Sequence, residues 1–412
     1  MKIIFLTLAS ISTIERPGIY EDLIRKIRDE GNEIIVVTPI ERIHGQSTSL
    51  SVESNVSILK VRTPNIQKTS MFEKSIGTLV IDYLYQRAIK KYFAQLPLDL
   101  ILYTTPPITF IRLIATLKKT SNASTYLLLK DIFPQNAVDL KLMSNKGLIY
   151  RHFRKREEKL YDVSDWIGCM SAANRDYILE KNPWIDPAKV EINPNSLEIV
   201  ATEAVQAMDQ PYSQLLEGKV VFVYGGNLGK PQGIEFLLEV IAACEDIENA
   251  FFLIVGSGTE SRKVLQWFQL KSPPNALYIP ELPKHEYDML LQQCHVGLIL
   301  LHPDFTIPNY PSRLLPYMKS KMPILCATDT TTDIGSDAVA NEYGFWCQSG
   351  DLSQFKEYIE ILSADAELRK RLGKNAYDYF KLNFNIDLSY KLILAHLFSK
   401  DDKVNVEAVS TR

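Results

Sequence analysis

Residues 220–235 read VVFVYGGNLGKPQGIE, and they decide the fold. The apolar run 220–224 ends at Gly225-Gly226. β-Branched and aromatic residues closed by glycines predict a buried parallel strand. The turn Gly225-Gly226-Asn227-Leu228-Gly229 leads to Lys230 and to Pro231, which stands where a helix accepts a first-turn proline. Ile234, Leu237, Leu238 and Ile241 follow at helical spacing. A strand, a glycine turn and a helix start present bare N–H groups and the positive end of the helix dipole, an arrangement that suits a phosphate. Lys230 adds a mobile positive charge. An ordinary βα turn uses the same glycines, so the flanking chain has to decide between the two.

Outward from this stretch, strands are predicted at 251–255, ended by Gly256-Ser257-Gly258, and at 276–279, ended by Pro280-Glu281. Two more follow at 296–301 and 324–327, with helical segments such as 261–270 and 285–294 between them. Regular alternation of this kind predicts an α/β fold with a doubly wound parallel sheet, whose ligands sit beyond the strands' carboxyl ends. The first half repeats the architecture. Strands are expected at 2–8, 33–37, 56–61, 100–103, 125–129, 165–170 and 190–192, with helices at 19–30, 146–163 and 172–180. Ser171 is the expected N-cap of the last helix. No GxGxxG follows the first strand, so a dinucleotide is not favoured.

The expected organisation is two Rossmann-like domains facing across a cleft. Residues 1–200 form the first, 201–217 a linker and 218–384 the second. A helix over 385–400 crosses back towards the first domain, and 401–412 is a frayed tail. The linker is read from lost periodicity together with Pro211 and Gly218. Asp131 closes the strand 125–129, at a carboxyl end where chemistry collects in such sheets. It reads either as a group that positions an acceptor or as a loop carboxylate bonded to nearby backbone.

Composition sets outer bounds. A chain of 412 residues predicts two or three domains, and 46% hydrophobic with 23% charged residues is ordinary for a soluble globular protein. The net charge of −3 implies no general affinity for nucleic acid. The halves differ: residues 1–200 hold 27 Lys and Arg against 22 Asp and Glu, and the remainder 19 against 27. A basic first half favours an anionic membrane surface or a phosphate-bearing partner; two unequal solvated surfaces are the other reading. The five cysteines (Cys169, Cys244, Cys294, Cys326, Cys347) are unpaired in spacing and lie mostly in apolar runs, as expected of reduced thiols in the cytoplasm. The six histidines show no metal-ligand spacing. No apolar run reaches the ~18 residues a spanning helix needs, and residues 1–8 read as a strand, not a signal peptide. A helix over 69–96 carries Phe72, Ile76, Leu79, Val80, Tyr83 and Leu84 beside Arg87, Lys90 and Lys91. It fits a membrane interface or a core-facing helix with a charged outer face. The helix 146–163 is basic at Arg151, Arg154, Lys155 and Arg156.

With these residues in view, the chain resembles the family-4 glycosyltransferases of GT-B fold that build bacterial capsular, exopolysaccharide or O-antigen repeat units. The resemblance spans residues 2–398. It rests on the turn 225–233, on LIVGSG at 253–258, on YIPEL at 278–282 and on PSRLLPYMKSKMP at 311–323. KDIFP at 130–134 and INPNS at 192–196 match in style. It implies a retaining transfer of a sugar from a nucleotide-diphosphate sugar to a lipid-diphosphate-linked saccharide, with no metal or other cofactor. It implies a cytoplasmic enzyme, peripheral on the inner face of the membrane. By the same resemblance, Gly226, Asn227 and Lys230 of the turn would face the diphosphate, and Gly225 and Gly256 would belong to the same nucleotide-sugar site. Pro280, Glu281 and Leu282 would read the base, and Ser312, Arg313 and Leu314 would hold the diphosphate from a helix start. Asp131 would face the acceptor. Two departures stand out. Similar enzymes carry glutamates where this chain has Pro308 and Pro316, and Arg and Lys where it has Asn227 and Gln232; Lys230 and Arg313 are the expected substitutes. A catalytically silent scaffold and a sugar-nucleotide epimerase are the rival readings.

Overall fold

The structure, a computed structural model, describes residues 1–65, 71–93, 96–199 and 212–397. The chain divides into two compact units. One joins Met1–Glu198 to Phe384–Arg412, and the other is Ile199–Asn383. The expected linker lies outside the described residues over 201–211, with a short helix at Ser213–Leu216 beyond it, and the expected tail 401–412 lies wholly outside them.

The first unit holds the strands β1 (Lys2–Leu6), β2 (Glu33–Glu41), β3 (Ser49–Glu53), β4 (Val56–Thr63), β5 (Leu100–Thr104), β6 (Ser124–Leu129), β7 (Trp166–Cys169) and β8 (Val190–Ile192). Their order is β3-β4-β2-β1-β5-β6-β7-β8. All neighbours run parallel except β3 and β4. The central strands are apolar on both faces, since Ile3, Ile4, Phe5 and Leu6 are all fully buried. Such strands need helices on both sides, which is the parallel solution. The antiparallel β3 was not anticipated. It is an exposed edge strand joined to β4 through Ser54 and Asn55, whose φ angles of 46° and 65° make the tight hairpin turn. Ser171 caps the helix Ala172–Lys181, its Oγ accepting from the Asn174 N–H at 3.3 Å.

The helix Ile386–Ala395 belongs to this unit. Ile386, Ile393 and Leu394 pack in one cluster with Ile3, Phe5, Leu23, Ile24, Leu100 and Leu102. Its end is pinned by polar contacts as well. The His396 ring stacks on Trp166 at 4.4 Å, and its Nε2 lies 3.1 Å from Glu191 Oε2. The other Glu191 oxygen accepts from the Tyr126 hydroxyl at 2.5 Å.

The second unit holds β9 (Val220–Gly225), β10 (Ala250–Val255), β11 (Ala276–Ile279), β12 (Val296–Leu300), β13 (Ile324–Thr328) and β14 (Gly344–Gln348), in the order β11-β10-β9-β12-β13-β14 and all parallel. The chain builds outward from β9 on one side, then returns to lay β12 on the other. The switch point therefore falls between β9 and β12, where ligand crevices form in open sheets. The register shows the opening: β9 pairs with β10 over its whole length, but with β12 only at Phe222 and Val223.

Candidate functional site

At that switch point Tyr317, from the helix Leu314–Lys319, occupies the place that further β9–β12 pairing would take. Its hydroxyl accepts the Gly225 N–H at 2.8 Å. Gly297 on β12 makes this possible, because a Cβ there would strike the Tyr317 ring. Gly225 likewise leaves room for the Tyr287 hydroxyl, which hydrogen-bonds Tyr317. Burial pushes the Tyr317 phenol up to about 12, with the nearby Arg313 charge opposing it.

Arg313 precedes the same helix and lies against this tyrosine group. Its guanidinium sits 4.2 Å from the centroid of the Tyr224 ring, and Nη2 donates to Gln232 Oε1 at 2.5 Å. Nη1 is buried and has no hydrogen-bond partner among the described residues. Burial works against the charge, yet the oxygens of Tyr224, Tyr317 and Tyr287 outweigh it, and the pKa stands above the ordinary arginine value. The neighbouring tyrosines are neutral at pH 7, so the basin keeps a full positive charge with a spare donor. A buried donor left open in this way is costly unless a ligand completes it.

The glycine turn forms the other wall. Gly226, at φ 113°, bonds back to the Val255 carbonyl at 2.9 Å, and the Leu228 N–H reaches the Ser257 carbonyl at 3.1 Å. A Cβ on Gly256 would overlap the Gly226 carbonyl oxygen, so Gly256 is where the second glycine turn supports the first. The Tyr224 hydroxyl donates to the Asn227 carbonyl at 2.9 Å. Gly226, Asn227 and Lys230 are exposed. Pro231 does not open the α-helix as expected. It lies in a 3-10 turn, Lys230–Gln232, and the helix Ile234–Ala243 starts after Gly233 at φ 57°. That extra turn carries Gln232 to Arg313.

The structure thus brings Arg313 and Gln232 together beside the turn 225–230. Ser312 is half-buried next to them, and Leu314 is buried. Pro280 and Glu281 are exposed and Leu282 half-buried at the end of β11, joined to the glycine turns through the Gly256 N–H on the Ile279 carbonyl at 3.0 Å. Pro308 is buried, and Pro316 is half-buried within the helix Leu314–Lys319. The tyrosines went unread in the sequence because Tyr224 and Tyr317 sit inside apolar patterns. Gln232 was visible only as a departure.

In the first unit Asp131 stands at the end of β6. Its N–H donates to Thr105 Oγ1 at 3.1 Å, and its carboxylate accepts from Asn136 Nδ2 at 2.7 Å. The residue before it was missed. Lys130 Nζ donates to the Asn193 carbonyl at 3.1 Å, and burial pushes the amine down to about 7. Asn193 Nδ2 in turn donates to the Tyr126 hydroxyl at 2.9 Å. Among the described residues, no group of three His, Cys, Asp or Glu is placed to hold a metal ion. Among them too, no helix is long and apolar enough to cross a membrane.

Two Rossmann-like units, with a match over residues 208–379 to the family described as glycosyl transferases group 1, define a glycosyltransferase of GT-B fold. A curated relative, the probable glycosyltransferase WbjE of Pseudomonas aeruginosa, is 23% identical over 371 residues, 88% of this chain and 91% of the relative. A solved E. coli structure, described as trehalose-6-phosphate bound with UDP-2-fluoro glucose, aligns with a TM-score of 0.73 at 10% identity, covering 96% of this chain and 99% of that one. WaaG, described as a glycosyltransferase involved in lipopolysaccharide biosynthesis, aligns with a TM-score of 0.63 at 12% identity, covering 95% and 99%.

Proposed function

We propose that the protein moves a sugar from a nucleotide-diphosphate sugar to a lipid-diphosphate-linked saccharide in bacterial surface polysaccharide biosynthesis. One observation carries the reading: the half-buried Arg313, whose buried Nη1 is left open, beside a glycine turn at the switch point of the second sheet. A diphosphate supplies the missing acceptor and the negative charge. Lys230 and the exposed turn 226–227 close on it from the other wall. As the bond from the donor sugar's anomeric carbon to the diphosphate oxygen breaks and an acceptor oxygen bonds that carbon in its place, negative charge builds on the leaving diphosphate, and a fixed cation stabilises it. No metal is assigned a role. Retention of anomeric configuration follows from the resemblance, as do the lipid-linked acceptor and a place on the inner face of the cytoplasmic membrane. The E. coli neighbour's UDP-sugar and WaaG's part in lipopolysaccharide synthesis support the donor and the pathway class. Asp131 is proposed to orient the acceptor.

The test is a titration of UDP, dTDP and GDP sugars by calorimetry, followed by turnover with a lipid-diphosphate sugar. Binding of one nucleotide sugar with turnover supports the reading. A second reading, a silent binding subunit, is favoured by Pro308 and Pro316, which offer no carboxylate. Nucleotide binding without any turnover would select it.

A further inference from the structure

We propose that residues 141–155 of the first unit form a docking surface for an anionic lipid bilayer, with Leu142, Leu148 and Ile149 entering the headgroup boundary. The proposal rests on the membrane-linked acceptor above and names the surface that meets it.

The longer helix singled out in the sequence does not offer that surface in its described part. In Met71–Tyr92, Ile81, Tyr85, Ala88 and Ile89 are buried, and the Tyr85 hydroxyl donates to the Thr7 carbonyl at 2.9 Å. The core-facing reading holds there, with Tyr83 exposed. The second basic helix differs. Leu160 and Tyr161 bury its far end, but Leu148 and Ile149 in its first turn are 81% and 64% exposed. Leu142, in the loop that leads to it, is 57% exposed. Large aliphatics left this open so close together are unusual on a soluble surface and mark a contact.

Charge says which contact. Lys141, Lys146, Arg151 and Lys155 are exposed around the three aliphatics, and residues 141–155 contain no Asp or Glu. The next two acids, Glu157 and Glu158, face Arg154 at 2.7 and 3.6 Å. Aliphatics ringed by cations fit the boundary between acyl chains and anionic headgroups. A second copy of the chain would set the same cations against each other. A protein interface of ordinary kind would be richer in aromatics and poorer in lysine.

The test is co-sedimentation of the full chain with phosphatidylcholine vesicles, with and without phosphatidylglycerol, at low and high salt. The wild type should pellet with phosphatidylglycerol at low salt and be partly released by salt. Lys146→Gln/Arg151→Gln/Lys155→Gln should lower partitioning about fivefold for each charge removed. Leu148→Ser/Ile149→Ser should remove the salt-resistant remainder. Near-ultraviolet circular dichroism checks that both variants stay folded, as exposed positions allow. A wild type that stays in the supernatant, or unchanged partitioning in both variants, would overturn the proposal. So would variants that change only self-association by light scattering. Failure of the glycosyltransferase reading appears separately, as a wild type that pellets with vesicles but binds no nucleotide sugar.

Discussion

Arg313 and Gln232 stand 81 positions apart in sequence and meet through a 2.5 Å hydrogen bond, Nη2 to Oε1. The sequence marked both without pairing them: Arg313 as a phosphate ligand, Gln232 as a departure from a basic position. The contact makes Gln232 a bracket that holds the guanidinium by Nη2, while Nη1 has no partner among the described residues.

Arg313→Ala and Lys230→Ala should each weaken nucleotide binding, by ~1–3 kcal/mol for a shielded charge-assisted contact. Gln232→Ala should cost less, because it loosens the arginine without removing its charge. The double variant Arg313→Ala/Gln232→Ala should be no worse than Arg313→Ala alone, since the bracket has nothing left to hold. Isothermal titration with the cognate nucleotide measures all four. Unchanged affinity in both single variants at Arg313 and Lys230 would remove the diphosphate from this site.

Asp131→Asn keeps the oxygen that accepts from Asn136 Nδ2, so thermal stability should change by less than ~1 kcal/mol. If the carboxylate orients an acceptor, turnover should fall about tenfold or more while nucleotide affinity stays put. A fully active variant would leave Asp131 as a loop carboxylate, a role its bonds to Thr105 and Asn136 already fill.

Lys130 makes stability depend on pH with a definite sign. Its amine titrates near 7 when folded and at 10.5 ordinarily, so between those values the unfolded chain holds more protons. Stability should therefore rise with pH from about 7 to 10.5, and the gain should be lost as pH falls through 7. Lys130→Met should flatten that rise, as urea unfolding at a series of pH values would show. The same slope in wild type and variant would mean that the amine is better solvated than its burial indicates.

The fold was legible where hydrophobic period and turn chemistry agree. The runs ending at Gly225, Val255 and Ile279 are apolar throughout and closed by glycine or proline, and they are strands within a residue or so of the expected limits. Two of the four edge strands, β3 and β14, were not legible. β3 alternates SLSVE with its polar side chains in water, and β14 reads GFWCQ, too short and mixed to stand out. The site was half legible. Charged and glycine positions announce themselves, whereas Tyr224, Tyr287 and Tyr317 count as core until the packing shows them gathered around one guanidinium. Lys130 was hidden by its neighbours, a strand on one side and Asp131 on the other.

The return of the helix Ile386–Ala395 to the first unit fixes an order of events during synthesis. The Ile3, Phe5, Leu23 and Ile24 face leaves the ribosome early, but the residues that cover it, Ile386, Ile393 and Leu394, follow only after all of the second unit. The second unit is thus a guest within the first, complete in sequence while its host still shows an uncovered apolar face. That host face is where a chaperone would have to wait. Nascent chains halted after residue 383 should bind an apolar dye that the finished protein excludes.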